Sequence, residues 1–312
     1  MLIKAKDQIE RKTTDMNLNI KNKERIKNAF SVIGFMMFTV IAILISAWLY
    51  GIMCSALSPV KSWYCVRAKD HKQPSADADM RYIENYNGYY IDHDHGDDCE
   101  DKVVYLTFDA GYENGNVKSI VDTLNKEKVK GAFFILGNLI ERSGDLVKQM
   151  VADGHTVCNH TNKHKDMTSF TDIDAFAHEL SELENAFTAL TGQSMPKYFR
   201  PPEGKFNEQC MQYADRLGYK TIFWSFAYAD WDNNNQMSPA SAIKKITDNI
   251  HNGAVILLHP TSSTNAEIMP ELIKEIKAMG YRFGTLDELC AKSGVKAYDT
   301  YPILQTEKEV QE

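Results

Sequence analysis

Three things are missing from this sequence, and each absence removes a class of function. There is no excess of positive charge: 35 Lys and Arg stand against 42 Asp and Glu, a formal net charge of −7 over 312 residues. Binding a phosphate backbone needs a basic field, so no nucleic-acid partner is expected. The six cysteines, at 54, 65, 99, 158, 210 and 290, include no C-x-x-C pair, which leaves a structural zinc site or a thioredoxin-like motif without support. The third absence is local, since no charged residue lies between Asn28 and Val60. Hydrophobic residues at 44% and charged residues at 25% otherwise match an ordinary globular protein, against wholesale disorder or a polytopic membrane protein.

The uncharged stretch centres on Ala29 to Met53, and about 20 apolar residues suffice to cross a bilayer as a helix. A cleaved signal peptide would have a shorter apolar core of about 7–15 residues. Residues 1–28 hold eight Lys and Arg and four acids, so the segment before the span carries +4 and the rest of the chain −11. The positive-inside rule then places the N-terminus in the cytoplasm and the remainder outside. The expected organisation is a basic tail (1–28), a single-pass cell-membrane anchor (29–53), an acidic extracytoplasmic stalk (54–101), one folded domain (102–292) and a polar tail (293–312). In the stalk, His93 and His95 lie among aspartates and could bind a cation loosely, although a solvated acidic linker is the expected state. A Cys65–Cys99 disulfide is chemically permitted on the outer face, with free thiols as the alternative.

From Lys102 onward, short apolar runs at 103–108, 131–136, 155–158, 197–200, 220–226, 254–259 and 281–286 alternate with amphipathic helical patterns. Gly154, Gly218 and Gly280 each close a helix just before a strand. Seven alternating units imply an α/β fold with a parallel sheet, as a closed or nearly closed (β/α)7-type barrel; a doubly wound open sheet is the alternative.

Chemistry-bearing residues gather where such barrels carry it, at the C-terminal ends of the strands. Asp109 ends the first strand, His160 and His164 follow the third, Arg200 the fourth, Asp230 and Trp231 the fifth, and His259 ends the sixth. Each is weak alone, because a lone Asp after a strand usually caps a helix. Two histidines four apart suit a borderline divalent metal, Zn²⁺, Co²⁺ or Ni²⁺. Such a metal acidifies water, a carboxylate takes the proton and a facing histidine protonates a leaving nitrogen, which together hydrolyse an amide or ester.

The ordered set T-F-D-x-G, H-T-x-x-H, R-P-P-x-G, D-W and L-x-H resembles the polysaccharide deacetylases of the NodB-homology fold over about residues 100–292. The text around Phe108–Gly115, Phe223–Tyr228 and Asn265-Ala266-Glu267 resembles the branch that deacetylates N-acetylmuramic acid on the way to the muramic δ-lactam. The resemblance implies a distorted barrel and a hydrolase acting on peptidoglycan glycan strands in the cell wall, with a spore-cortex setting. It implies Asp109 as base, His259 as acid, Arg200 and Asp230 as their respective partners, and His160 and His164 as metal ligands. Trp231, Tyr112, Pro201 and Leu257 would contact substrate. The pattern departs at Ala110, where the wider family has a metal-binding aspartate, so a divalent metal is held less firmly or contributes little. Glu203 in R-P-P-x-G reads as a solvent-facing loop residue or as electrostatic compensation for the missing carboxylate. Deacetylation of N-acetylglucosamine or another glycan, and non-catalytic glycan binding by a degenerate site, are the alternatives.

Overall fold

The computed structural model describes residues 59–291 continuously, the helical residues 32–49 and, before them, residues 16, 23, 27 and 30. Most of the basic tail, Cys54 and the C-terminal tail 293–312 lie outside the described residues. The chain divides into two units, 1–57 and 58–312.

In the first unit, helix α1 (Val32–Leu49) has a mean hydropathy of 2.5 and no buried residue. Its 18 residues rise about 27 Å, close to the thickness of a hydrocarbon core. The polar side chains Thr39 and Ser46 donate their hydroxyls to the Met36 and Ala42 carbonyls, both at 2.8 Å. A helix meeting lipid must satisfy its polar groups internally in this way. By length and composition α1 is able to cross a membrane.

In the second unit, parallel strands β4 (Gly88–Tyr89), β5 (Val103–Ala110), β6 (Ala132–Ile135), β7 (Thr156–Asn159), β8 (Tyr198–Phe199), β10 (Lys220–Ile222) and β11 (Ala254–Leu258) run in the order β11-β5-β6-β7-β8-β10-β4. Helices α2 (Asn116–Lys126), α3 (Gly137–Ala152), α4 (Ile173–Thr191), α5 (Glu208–Arg216), α6 (Pro239–Thr247) and α7 (Ser263–Ala278) alternate with them. The sheet curls until its ends approach. Phe226 bridges Ile256 and Ile91 bridges Ala254, and the N–H groups of Ser225 and Leu257 donate to Val255 and Phe226 carbonyls at 2.9 Å. The result is a distorted barrel of curled parallel sheet rather than the doubly wound alternative.

Strand alternation divides the interior. Val104, Leu106, Phe108 and Ala110 of β5 face the helices and pack with apolar residues of α2, α3 and α7. Val103 and Tyr105 point the other way, into a smaller cluster with Phe134 and Cys158 inside the curl. Thr107 and Asp109 share that inner face, which is why a carboxylate ends up inside the barrel mouth.

Several expectations need correction. Residues 59–101 are no stalk. Strand β1 (Lys61–Ser62) pairs antiparallel with β9 (Lys205–Phe206), β2 (Cys65–Val66) pairs with β3 (Ser75–Ala76), and β4 extends the main sheet beside β10. Trp63, Ile83 and Tyr90 are buried with Phe206 and Phe223, and the Trp63 indole donates to the Trp224 carbonyl at 2.7 Å. Two-residue strands leave no periodicity to read, so polar composition misled. His95 is buried between Asp92 Oδ2 at 2.7 Å and Asp101 Oδ2 at 3.3 Å, and His93 meets Glu84 at 2.7 Å. These rings are engaged within a folded polar network, not in a solvated linker. Cys65 and Cys99 are free thiols, with Cys65 Sγ directed at the Trp224 carbonyl. The seventh expected strand, β12 (Arg282–Phe283), does not follow β11; it pairs with the start of β5 on the edge that β6 uses further along. Leu286 then opens a short helix, α8 (Leu286–Ala291).

Because Ile83 is fully buried in the N-terminal cluster, Ile83→Ala is expected to cost about 2–5 kcal/mol. A lower urea midpoint at unchanged slope would show this, whereas a stalk residue would leave the midpoint in place.

Candidate active site

Arg200, just after β8, has no exposed surface. Its Nε donates to the Ile222 carbonyl at 2.8 Å, Nη2 to Thr107 Oγ1 at 2.9 Å and the Phe223 carbonyl at 3.2 Å, and Nη1 to Asp109 Oδ1 at 2.8 Å. The guanidinium also lies over the Phe134 ring at 4.1 Å. The turn that follows is built by R-P-P-x-G itself: Glu203 and Gly204 both adopt the left-handed region, and a Cβ on Gly204 would sit 2.6 Å from the Trp224 ring. Burial pushes the Asp109 carboxyl up, but the charge of Arg200, aided by His160 and His259, outweighs it and holds the group below its ordinary 3.8.

His160 follows β7 and donates its Nδ1–H to the Arg200 carbonyl at 2.8 Å. That bond leaves Nε2 with its lone pair, 3.7 Å from Asp109 Oδ2. Burial lowers the pKa of His160 to about 4, so the ring is neutral at pH 7. His164 lies close, its ring centroid 5.2 Å from that of His160. The loop reaches this shape through left-handed conformations at Thr161 and His164. Asn159 Oδ1 accepts from the Thr161 N–H at 2.8 Å, and buried Glu179 of α4 accepts from the Lys163 N–H at 2.6 Å. Glu179 carried no motif, and only its burial identifies it.

His259 follows β11, across the mouth from His160. Asp230 Oδ1 accepts from its ring Nδ1 at 2.7 Å and Oδ2 from its backbone N–H at 2.9 Å. Burial alone would lower the imidazole, yet the Asp230 hydrogen bond and charge raise it above 6.5. Asp109 and His259 are thus biased to opposite charge states, negative and positive, across one opening.

That opening is a cavity of about 690 Å³, and its wall includes Asp109, His160, His164 and His259 together with Tyr112, Trp231 and Leu257. Arg200 and Asp230 stand behind the wall as supports. Pro201, expected to contact substrate, is buried and outside the lining, because the turn directs it into the fold. Trp231 is 60% exposed, with its ring 6.1 Å from His259. Glu203 is exposed, lies on the cavity wall and pairs with Lys205 at 2.6 Å. Tyr228 and Trp224 also line the cavity, and they were visible in the sequence only as part of the F-W-S-F-A-Y text.

Metal ligation is only partly provided for. His160 and His164 suit a divalent ion by donor type, but Ala110 is buried in the helix-facing core and offers no third donor. Among the described residues, no group of three His, Cys, Asp or Glu is placed to hold a metal. The set falls short of the three protein ligands usual at a catalytic zinc.

A profile of the polysaccharide deacetylase family matches residues 96–222. The chain is 34% identical over 257 residues to the peptidoglycan-N-acetylmuramic acid deacetylase PdaA of Bacillus subtilis, covering 78% of this chain and 95% of that one. An uncharacterised 30.6 kDa protein of Geobacillus stearothermophilus is 40% identical over 228 residues, 73% of this chain and 84% of that one. The solved structure of Bacillus subtilis PdaA, described as a family 4 carbohydrate esterase, superposes with a TM-score of 0.69 at 35% identity, covering 74% of this chain and 96% of that one.

Removing Arg200 alone strands a buried carboxylate. Arg200→Leu should cost about 3–5 kcal/mol, and Asp109→Leu in the same chain should recover a substantial part, since no unpaired charge then remains. Denaturant unfolding of the single and double variants checks this; equal stability of wild type and Arg200→Leu would contradict the pairing.

Proposed function

The chain belongs to the polysaccharide deacetylase family, and on that premise we propose that it hydrolyses the N-acetyl amide of N-acetylmuramic acid residues in peptidoglycan. The observation that carries the reading is the facing pair in one cavity, Asp109 biased to its ionised form by Arg200 and His259 biased to its protonated form by Asp230. The similarity to PdaA over nearly its whole length supports the choice of sugar.

In the proposed reaction a water molecule sits between Asp109 and the acetyl carbonyl. Asp109 takes one water proton as the water oxygen attacks the carbonyl carbon. Asp230 occupies Nδ1 of His259, so the Nε2–H is the group that gives its proton to the amide nitrogen as the C–N bond breaks. Acetate and a free amine on the sugar result, and that amine is the group a lactam closure would consume. His160 stays neutral and, through its bond to the Arg200 carbonyl, keeps Nε2 turned to the reacting groups. Members of this family generally depend on a metal; an ion resting on His160 and His164 would polarise the carbonyl. Trp231, Tyr112 and Leu257 would supply the apolar wall for the acetyl group and sugar ring.

The test is acetate release from peptide-free glycan strands, with mass analysis of the products. Asp109→Asn is expected to lower kcat by about 10²–10⁴. Ala110 is the feature that favours the non-catalytic alternative, and no acetate with any divalent metal, on strands of either amino sugar, would decide for it.

The +4 N-terminal segment and α1 support a cell-membrane protein whose N-terminus is cytoplasmic and whose domain faces the wall. Protease added to intact protoplasts should remove the 59–291 portion and leave a membrane-bound N-terminal fragment. Complete protection would reject the outward orientation, and release of a soluble domain during expression would reject the anchor.

A further inference from the structure

Asn265 lies on the first turn of α7, six residues after His259. It is fully buried and forms no part of the cavity wall. Its side-chain amide is fully committed. Nδ2 donates to Asp230 Oδ2 at 2.6 Å and to the His259 carbonyl at 3.0 Å, while Oδ1 accepts from the Tyr228 hydroxyl. A carboxylate and a carbonyl both require the NH₂ end, so the amide orientation is settled by chemistry. The backbone around it is tied as well. The Asn265 N–H donates to the capping Ser262 Oγ at 3.0 Å, and the Ser262 hydroxyl donates to Gln236 Oε1. Gln236 Nε2 in turn donates to the Asp230 carbonyl at 3.0 Å and the Asp232 carbonyl at 2.7 Å. The loop that carries Asp230 is therefore fastened to the start of α7.

We propose that Asn265 is a positioning residue for His259, acting through Asp230: it aims that carboxylate at the imidazole and limits how strongly the carboxylate holds the ring proton. The proposal rests on the reading of His259 as the proton donor. Asp230 receives three donors, two from His259 and one from Asn265. Each donor spreads the carboxylate's charge and weakens its pull on the others. The charged groups facing His259 are Asp230 from the loop after β10, Asp109 from β5 and Arg200 from the segment after β8; the Tyr228 hydroxyl is near Asp230. Of these, Asp230 holds the ring directly. Without the Asn265 amide, Asp230 keeps only the His259 donors, so His259 retains its proton to higher pH and gives it up less readily.

The experiment uses the full chain in detergent micelles with ¹³C-labelled histidine, the His259 resonance being assigned from His259→Gln. In Asn265→Ala, the His259 titration midpoint should rise by on the order of half a pH unit. The alkaline limb of kcat for acetate release should move up with it. kcat itself should fall about tenfold with KM within about twofold, because Asn265 does not line the cavity. Tyr228→Phe, which frees the amide to turn, should raise the midpoint by a smaller amount and serves if Asn265→Ala does not fold. A His259 midpoint that is unchanged or lower in the variants overturns the proposal, as does a kcat loss in Asn265→Ala matched by a rise in KM; Tyr228→Phe is read by the midpoint alone, because Tyr228 lines the cavity. The titration needs no substrate. A shifted midpoint without acetate release in wild type would sink the proposed reaction while leaving the coupling of Asn265 to His259 established.

Discussion

The pairing of Arg200 with Asp109 is the constraint around which the barrel mouth is arranged. A guanidinium with no exposed surface must have its donors met inside the protein, and here the acceptors come from β5, from β10 and from the Phe223 carbonyl just beyond it. Satisfying Arg200 therefore requires those strands to stand where they do. In return, Arg200 keeps an inward carboxylate ionised where burial would otherwise protonate it. Its carbonyl also fixes the tautomer of His160. One side chain thus links the stability of the curl to the charge state of the proposed base.

The opposite wall follows a similar logic with the signs exchanged. Asp230 is buried and accepts from both the ring and the backbone of His259, so the imidazole is oriented and biased towards its charged form. Asp109 lies near the end of β5 and His259 just after β11, and in the proposed reaction each needs the other across the cavity. The N-terminal segment 59–91 contributes indirectly. Trp63 holds the Trp224 carbonyl, and Trp224 lines the cavity and packs above Gly204. The part of the chain that composition marks as a linker therefore supports a wall of the site.

The charge division of the sequence has a consequence for recognition. A chain that carries −11 beyond residue 28 gains no long-range attraction to an anionic polymer. Under the proposed function, selection of a glycan depends on short-range contacts in the cavity, where exposed Trp231 and Tyr112 present apolar faces beside ionisable groups.

Much of this was legible in the sequence. Apolar runs of five or six residues located β5, β6 and β11, and the glycines at 154, 218 and 280 closed helices as expected. The five motifs pointed to Asp109, His160, His164, Arg200, Asp230 and His259, because chemistry at strand ends leaves unusual residue types in fixed order. The folding of residues 59–101, the place of β12 and the inward turn of Pro201 were not legible, since two-residue strands and non-local pairings leave no period. Asn265 was visible only as part of the Asn265-Ala266-Glu267 text and Glu179 not at all, for a related reason: what each does is contact residues distant in the chain. The sequence by itself determined the residue types, the strand–helix rhythm and the apolar N-terminal helix, all of which are local patterns. Tertiary structure alone decided which carboxylate meets which cation, which ring nitrogen is free and what lies behind the wall, because hydrogen bonds across strands depend on the curl that brings them together.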